Sequence, residues 1–177
     1  MRLPFLVAIF FVCAFAKAQP PGYEWAKNIG GNQSEWGKSL VVSSTLLQAL
    51  PDKLRAAQET FARTGGLHAS AIFDCDGKLV VLREDVGRHN ALDKALGYAL
   101  RAGLLPLENH LLMVSGRVSF ELMQKALAAG IPVVVAISAP SSLAVEFAQG
   151  SGQTLVGFLR GATMNVYAHG WRVEAVE

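Results

Sequence analysis

The sequence predicts an α/β domain in which helices cover both faces of a mainly parallel sheet. From about residue 44 onward, short apolar runs rich in β-branched residues alternate with segments of helical periodicity. Such alternation requires crossover connections, which are typical of parallel strands buried on both faces. The composition agrees, because 51% of the 177 residues are hydrophobic and 17% are charged. That balance favours a large buried core over disorder.

The charge and the cysteine content exclude several classes of site. A formal net charge of +2 is too small to indicate binding to nucleic acid or to an anionic membrane. The cysteines are Cys13 and Cys75, and no pair has metal-ligand or redox spacing. We therefore expect no metal ligands and no CxxC redox site in this sequence.

The N-terminal segment differs from the rest of the chain. Residues 1–18 combine a basic Arg2, an apolar run and small residues near Ala18, which is the pattern of a secretory signal peptide. The run is too short to predict a stable membrane span, and a buried N-terminal helix is the alternative. We expect residues 19–43 to form an irregular leader and residues 44–177 to form the domain.

The first helix of the domain is predicted to begin at Pro51, because proline is favourable at the first helical position. It is predicted to end at Gly65–Gly66. Its apolar face carries Leu54, Ala57, Gln58 and Phe61.

The remaining elements alternate. Asp76–Gly77 predicts a hairpin turn between the strands 67–74 and 78–84. Further helices are predicted over 91–102, 119–130 and 141–150, and further strands over 110–116, 131–138, 154–159 and 164–169.

Three junctions between a strand and a helix are each rich in small, hydroxyl or arginine residues. They are "REDVGRHN" (83–90), "SGRVS" (115–119) and "SAPSS" (138–142). Ligands of open α/β sheets bind where strands end and helices begin, and helix N-termini favour anions. Arginine side chains bind phosphate oxygens through two parallel hydrogen bonds. The junctions therefore predict a crevice for a phosphate-bearing ligand, with candidate contacts from Arg88, His89, Ser115, Gly116, Arg117, Ser138 and Ser141.

Simpler interpretations exist for several of these residues. Asn90, Ser119 and Ser141 could serve only as helix caps. His89 and Asp93 are four residues apart and could pair along one helix.

Other polar residues carry weaker signals. His68 is as consistent with a strand histidine as with a site residue, and His110 precedes a strand and is expected at the surface. Cys75 lies beside the hairpin turn, where we expect a simple thiol and not a catalytic one.

The sequence resembles the FdhD family of formate dehydrogenase accessory sulfurtransferases. The resemblance is carried by the three junction motifs and by "TGGLHASAIFD", "VSFELMQKALAAGIPVVVAISAPSSLAVEFA" and "LVGFLRGATMNVYAH". The resemblance covers about residues 44–173. It implies a cytidine deaminase-like three-layer α/β/α fold, a cytoplasmic location and a homodimer. It further implies that sulfur from a cysteine desulfurase is passed to the molybdenum bis(molybdopterin guanine dinucleotide) cofactor of formate dehydrogenase.

The resemblance also implies a cofactor-binding stretch. That stretch corresponds to Phe158, Leu159, Arg160, Gly161, Ala162 and Thr163, although the family often has a further basic residue where this chain has Ala162 and Thr163. The family's persulfide-carrying cysteine lies in a CxxC loop that this sequence lacks.

Several functions remain open at this point. The leading one is a cofactor-binding domain of the sulfurtransferase family without its own catalytic cysteine. A non-catalytic module for a guanine nucleotide or molybdenum cofactor is the alternative. An exported protein is a third, should the N-terminal segment be a genuine signal. A zinc deaminase would need a Glu beside a ligand such as His89 and a PCxxC pair, and the sequence has neither.

Overall fold

The computed structural model of the chain describes residues 40–175, so the predicted signal-like segment 1–18 lies outside the described residues. The strands are β1 (Val42–Ser43), β2 (His68–Asp74), β3 (Leu79–Asp85), β4 (His110–Val114), β5 (Val133–Ala136), β6 (Thr154–Arg160), β7 (Thr163–Ala168) and β8 (Val173–Glu174). The helices are α1 (Ser44–Ala57), α2 (Glu59–Thr64), α3 (Arg88–Arg101), α4 (Phe120–Ala128) and α5 (Ser142–Ser151), and a 3₁₀ turn spans Gly170–Arg172.

The main sheet has the strand order β3-β2-β4-β5-β6-β7. Strands β4, β5 and β6 run parallel to one another, whereas β2 pairs antiparallel with β3 and β4, and β7 pairs antiparallel with β6. The sheet is therefore mixed, with a parallel centre as the predicted fold class expects. The β2–β3 and β6–β7 hairpins account for the antiparallel pairs at its two edges, because a hairpin can join only antiparallel strands.

Helices cover both faces of this sheet and give the predicted three-layer α/β/α arrangement. One core lies between the sheet and helices α3, α4 and α5, and includes Leu92, Leu122 and Phe147. The second core lies on the opposite face, where Leu47 and Leu54 of α1 pack against the strands. Alternate residues of β4 enter the two cores, as expected for a strand buried on both sides.

The N-terminal boundary and the first helix differ from the sequence-based expectation. Leu40 and Val42 are buried in the core, and β1 pairs with β8, so the packed domain reaches at least four residues before residue 44. Helix α1 begins at Ser44 and contains Pro51 in its interior. The hydroxyl of Ser43 accepts a hydrogen bond from the Leu46 amide and caps the helix, so the serine defines its start and the proline does not.

Candidate ligand site

The three predicted junctions meet at the carboxyl ends of the parallel strands. The second and third junctions are joined by their backbones, because Val118 N donates to Ala139 O at 3.2 Å and Ser141 N donates to Val118 O at 2.9 Å. The third junction also contacts β6, where Phe158 N donates to Ser138 O at 3.2 Å. Non-adjacent segments of the sequence therefore form one continuous rim.

Gly116 connects the first junction to the second. A Cβ atom placed on Gly116 would lie 3.1 Å from His68 Nδ1 and 3.7 Å from the Cβ of Arg88. A larger residue would therefore crowd the histidine. The structure thus places the His68 ring directly beside Gly116 and close to Arg88.

Arg88 supplies the most informative polar atom of this crevice. Its Nε is buried and has no hydrogen-bond partner among residues 40–175. A buried guanidinium nitrogen without an acceptor destabilises the folded protein, because it has lost its hydrogen bonds to water and gained none within the protein. The atom is therefore a donor for which a bound anion would supply the partner.

His89 faces the second junction instead of its own helix. Its Nε2 lies 3.5 Å from Ser119 Oγ, whereas Asp93 pairs with Lys125 at 2.7 and 2.8 Å. The alternative in which His89 pairs with Asp93 is therefore wrong. Glu121, which the sequence reasoning missed, lies near His89, and the pKa of its carboxyl is lowered mainly by a hydrogen bond with the Ser119 side chain.

Asp85 organises the turn before α3. Its carboxylate accepts hydrogen bonds from Gly87 N and Asn90 Nδ2 and forms an ion pair with Lys94. These contacts, led by the Lys94 bond, lower the pKa of Asp85 to about 2. Helix α3 consequently begins at Arg88 behind Gly87, and the expectation that Asn90 caps the helix is wrong.

The predicted serines are partly occupied by structural bonds. Ser141 caps α5, with its hydroxyl accepting from Ala144 N at 3.2 Å, while Ser115 Oγ accepts from Ala69 N at 2.8 Å. Ser138 uses its carbonyl toward Phe158. Ser119 occupies the N-cap position of α4 without a side-chain cap bond.

The stretch 158–163 forms the end of β6 and its turn into β7. Phe158 is 38% exposed. Its φ is +52°, which is an unusual backbone conformation for a bulky residue. Leu159 is buried, whereas the four residues that follow it are exposed at the turn. They are Arg160, Gly161, Ala162 and Thr163. Gln48 of α1 donates to the Ala162 carbonyl at 3.2 Å and ties this turn to the opposite layer.

A cavity of about 520 Å³ adjoins the crevice on the α1 side of the sheet. Its lining includes Leu54, Arg55, Gln58, Phe61, His68 and Ser115. Sequence reasoning placed Gln58 on the apolar face of a helix and gave it no function. The sequence feature that could have identified Gln58 is its polar amide, which stands among apolar residues on that helix face.

The opposite end of the sheet carries Cys75, which is exposed and follows the last residue of β2. Strand β2 spans seven residues, so the thiol lies roughly 20 Å from the crevice at the usual rise per residue. His110 lies nearby and is half-buried, contrary to the surface position expected, and burial lowers its pKa. No group of three or more His, Cys, Asp or Glu side chains within residues 40–175 is placed to hold a metal ion.

The chain thus forms an α/β/α domain with a crevice at the carboxyl ends of its parallel strands, where Gly116, His68 and Arg88 lie together. The sequence profile of the FdhD/NarQ family matches residues 16–174. The chain therefore belongs to the FdhD/NarQ family, as the motifs in its sequence had suggested.

The curated relatives carry the name sulfur carrier protein FdhD. The protein from Streptomyces avermitilis is 66% identical over 128 residues, which are 72% of this chain and 45% of that protein. The protein from Mycobacterium tuberculosis is 58% identical over 137 residues, which are 77% of this chain and 50% of that protein. The chain thus spans about half the length of these relatives.

Solved structures agree on the fold. A proposed formate dehydrogenase accessory protein from Desulfotalea psychrophila is 29% identical with a TM-score of 0.70, covering 76% of this chain and 57% of that one. A mutant of the protein NE0047, crystallised with 8-azaguanine, is 14% identical with a TM-score of 0.51, covering 72% of this chain and 85% of that one. These likenesses agree with the three-layer α/β/α fold. Within the described residues, no helix is long and apolar enough to cross a membrane.

Proposed function

We propose that this domain binds the molybdenum bis(molybdopterin guanine dinucleotide) cofactor of formate dehydrogenase as its client during sulfuration. The observation that carries the proposal is the buried, unpartnered Nε of Arg88 beside Gly116, at the meeting point of the predicted junctions. The cofactor contains pyrophosphate groups, whose oxygens are suitable acceptors for arginine and for helix N-terminal amides.

The residues present fit such a client. Arg88 offers a buried donor and Arg117 an exposed cationic side chain, and Gly116 leaves the room that the His68 ring occupies beside Arg88. The half-exposed ring of Phe158 offers a surface on which a base could stack. Sulfur transferred to the molybdenum would complete the client for insertion into formate dehydrogenase.

Transfer of sulfur itself needs a thiolate that can receive a persulfide and reach the client. Cys75 is a poor candidate, because it is exposed at the far end of the sheet between Asp74 and Asp76. We therefore infer that the described domain contributes binding of the client, and that Cys75 does not transfer sulfur.

Partners follow from the same proposal. A cysteine desulfurase would supply the sulfur and formate dehydrogenase would receive the completed cofactor, in the cytoplasm. A homodimer is the proposed assembly. The names of the similar proteins, sulfur carrier protein and formate dehydrogenase accessory protein, support the part of this proposal that concerns sulfur and formate dehydrogenase.

Calorimetric titration with GDP, as the guanine nucleotide portion of the client, tests the binding proposal. Arg88→Ala and Arg117→Ala should each weaken GDP binding about tenfold or more, because a charge-assisted bond contributes roughly 1.5–3 kcal/mol. Arg101→Ala is the control, since this exposed arginine lies at the end of α3 away from the crevice. Unchanged GDP affinity in both crevice variants would contradict the proposed site.

Incubation with a cysteine desulfurase and cysteine tests the inference about transfer. Intact mass should reveal no stoichiometric persulfide on Cys75. A persulfide that forms there and passes to the cofactor would instead make Cys75 the catalytic residue.

A further inference from the structure

The exposed face of helix α3 carries two adjoining grooves, away from the candidate ligand site. The basic groove has a volume of about 600 Å³ and is lined by Arg83, Lys94, Gly97, Tyr98, Arg101 and Ala102. The apolar groove, of about 240 Å³, lies between α3 and α4, and its lining includes Leu96, Gly97, Leu100, Leu105 and Ala128. Gly97 belongs to both linings, so the two grooves meet at one point of the helix.

The basic groove holds more cations than carboxylates. Lys94 pairs with Asp85, whereas Arg83 and Arg101 form no ion pair with any carboxylate within residues 40–175. Glu84 is turned to the opposite face of the sheet, where its carboxylate accepts two backbone amides of α2. A partner that brings carboxylates would therefore supply the counter-charges that this groove lacks.

The same cations occupy the outer edge of β3, which has no strand beyond it within the described residues. Ala69, the β2 partner of Glu84, turns its carbonyl toward the β4 side, so Glu84 and Leu82 point their peptide groups outward. Arg83 Nη1 donates to Leu82 O at 2.8 Å, and Lys94 Nζ donates to Glu84 O at 3.2 Å. An added strand would find these acceptors taken, which favours recognition by side chains.

Gly97 is not required by packing within the described residues. It lies inside α3, where glycine is less favourable than alanine, and a Cβ atom placed on it would meet nothing within 4 Å. The absent side chain leaves the backbone of α3 open at the point where the grooves meet. A second helix can approach α3 closely at such a point.

Apolar surface adjoins this point. Leu100 is 65% exposed and Tyr98 is 40% exposed, which is unusual for large side chains on one helix face. The guanidinium of Arg83 lies 4.9 Å from the centre of the Tyr98 ring, so the ring also orients one cation of the basic groove. The surface thus combines a cationic side with an apolar side.

We propose that the exposed face of α3 binds an acidic amphipathic helix of a partner protein. The helix crosses α3 at Gly97, its carboxylates pair with Arg83 and Arg101, and one of its apolar side chains enters the groove beside Leu100. A second copy of this chain is a poorer occupant, because each of the described helices α1 to α5 carries a single acidic residue.

Fluorescence anisotropy with the full-length chain tests this proposal. The probe is a labelled synthetic helix with glutamates on one side and leucines on the other. Replacing both arginines, Arg83→Glu with Arg101→Glu, should weaken its binding at least tenfold, because like charges then face each other. Gly97→Gln should weaken binding about tenfold by filling the crossing point. Arg63→Glu, at an exposed arginine of α2, is the charge-matched control and should leave the affinity unchanged.

A second probe, with serines in place of the leucines, should bind at least tenfold more weakly than the first. Equal binding of the two probes, or an equal loss in Arg63→Glu, would show that only net charge is sensed and would overturn the proposal. Tighter binding of a single-stranded oligonucleotide would also overturn it.

Sedimentation and thermal unfolding complete the test. If Gly97→Gln converts an oligomer into a monomer, the face belongs to a second copy and the proposal is wrong. Thermal unfolding identifies variants that fail to fold. Gly97→Ala, which favours the helix, then replaces Gly97→Gln and should still weaken binding of the first probe. Unchanged binding in that variant would contradict a close crossing at Gly97.

Discussion

Buried glutamine and arginine side chains occur at both ends of the parallel strands, in opposite states. At the amino end, Gln153 Nε2 donates to Ile131 O at 2.9 Å, and Arg172 donates to Gly152 O at 2.8 Å. At the carboxyl end, Gln58 Nε2 and Arg88 Nε have no partner within the described residues. The comparison teaches that one end pairs its buried donors within the fold, whereas the other end leaves its donors unpaired among the described residues.

Removing Arg172 should have the largest effect on stability. Its side chain is 2% exposed, bonds to Thr154 Oγ1 as well as Gly152 O, and lies 4.0 Å from the centre of the Trp171 ring. Arg172→Ala should lower the free energy of unfolding by about 2–4 kcal/mol, since it leaves buried acceptors unpaired and creates a cavity. Denaturant unfolding measures this, with exposed Arg101→Ala expected within about 0.5 kcal/mol of the parent.

The two buried glutamines give a direct contrast. Gln153→Leu should cost about 1–3 kcal/mol, because the Ile131 carbonyl loses its donor and the Ser151 hydroxyl keeps only the Ala148 carbonyl as an acceptor. Gln58→Leu should leave the free energy of unfolding unchanged or slightly higher, because it removes an unpaired donor. Equal losses in the two variants, measured by urea unfolding, would show that Gln58 is structural after all.

Phe158 allows a test of backbone strain at the carboxyl end of the parallel strands, where the candidate ligand site lies. Phe158→Gly should change stability by less than about 1 kcal/mol, because relief of the positive φ offsets lost ring contacts. Phe147→Ala, at a buried ring packed edge-on against Phe120, should cost about 3–5 kcal/mol. A comparable loss at Phe158 in thermal unfolding would mean that its ring contributes to the core.

The smallest expected effect is the pH dependence at Asp85. Its pKa falls from 3.8 in the unfolded chain to about 2 in the folded chain, so the carboxylate stabilises the fold above pH 4. That contribution should be lost as the pH falls from about 4 to 2, because the unfolded state then binds more protons. Asp85→Asn should flatten the stability profile in this window, and an unaltered profile would exclude Asp85 as its source.

Much of the fold could be predicted from local sequence patterns. The alternation of strands and helices, the Asp76–Gly77 hairpin and the three junctions all follow from short-range signals. Strand order could not be predicted, because the pairing of β2 with β4 depends on contacts between distant residues. The helix start predicted at Pro51 was wrong because tertiary packing outweighed a local signal. Leu47 and Leu50 are buried before the proline, and their packing keeps the helix continuous through it.

The candidate site was predictable only in part. Gly116 and Arg88 were found because glycine and arginine beside a strand end are a recognisable pattern. Gln58 and Glu121 were missed, since the unpaired amide of Gln58 and the contact of Glu121 with Ser119 arise only after folding. Hydrogen-bond satisfaction is a property of the packed structure and leaves no periodic trace in the sequence.

The backbone bonds between Val118 and the loop 139–141 have a kinetic consequence. Two loops that are fastened to each other cannot open independently, so the rim of the crevice keeps its spacing before a ligand arrives. Little loop entropy remains to be lost on association. Encounter should therefore be governed by diffusion and charge, and the lifetime of the complex by the few buried donors that the rim holds in position.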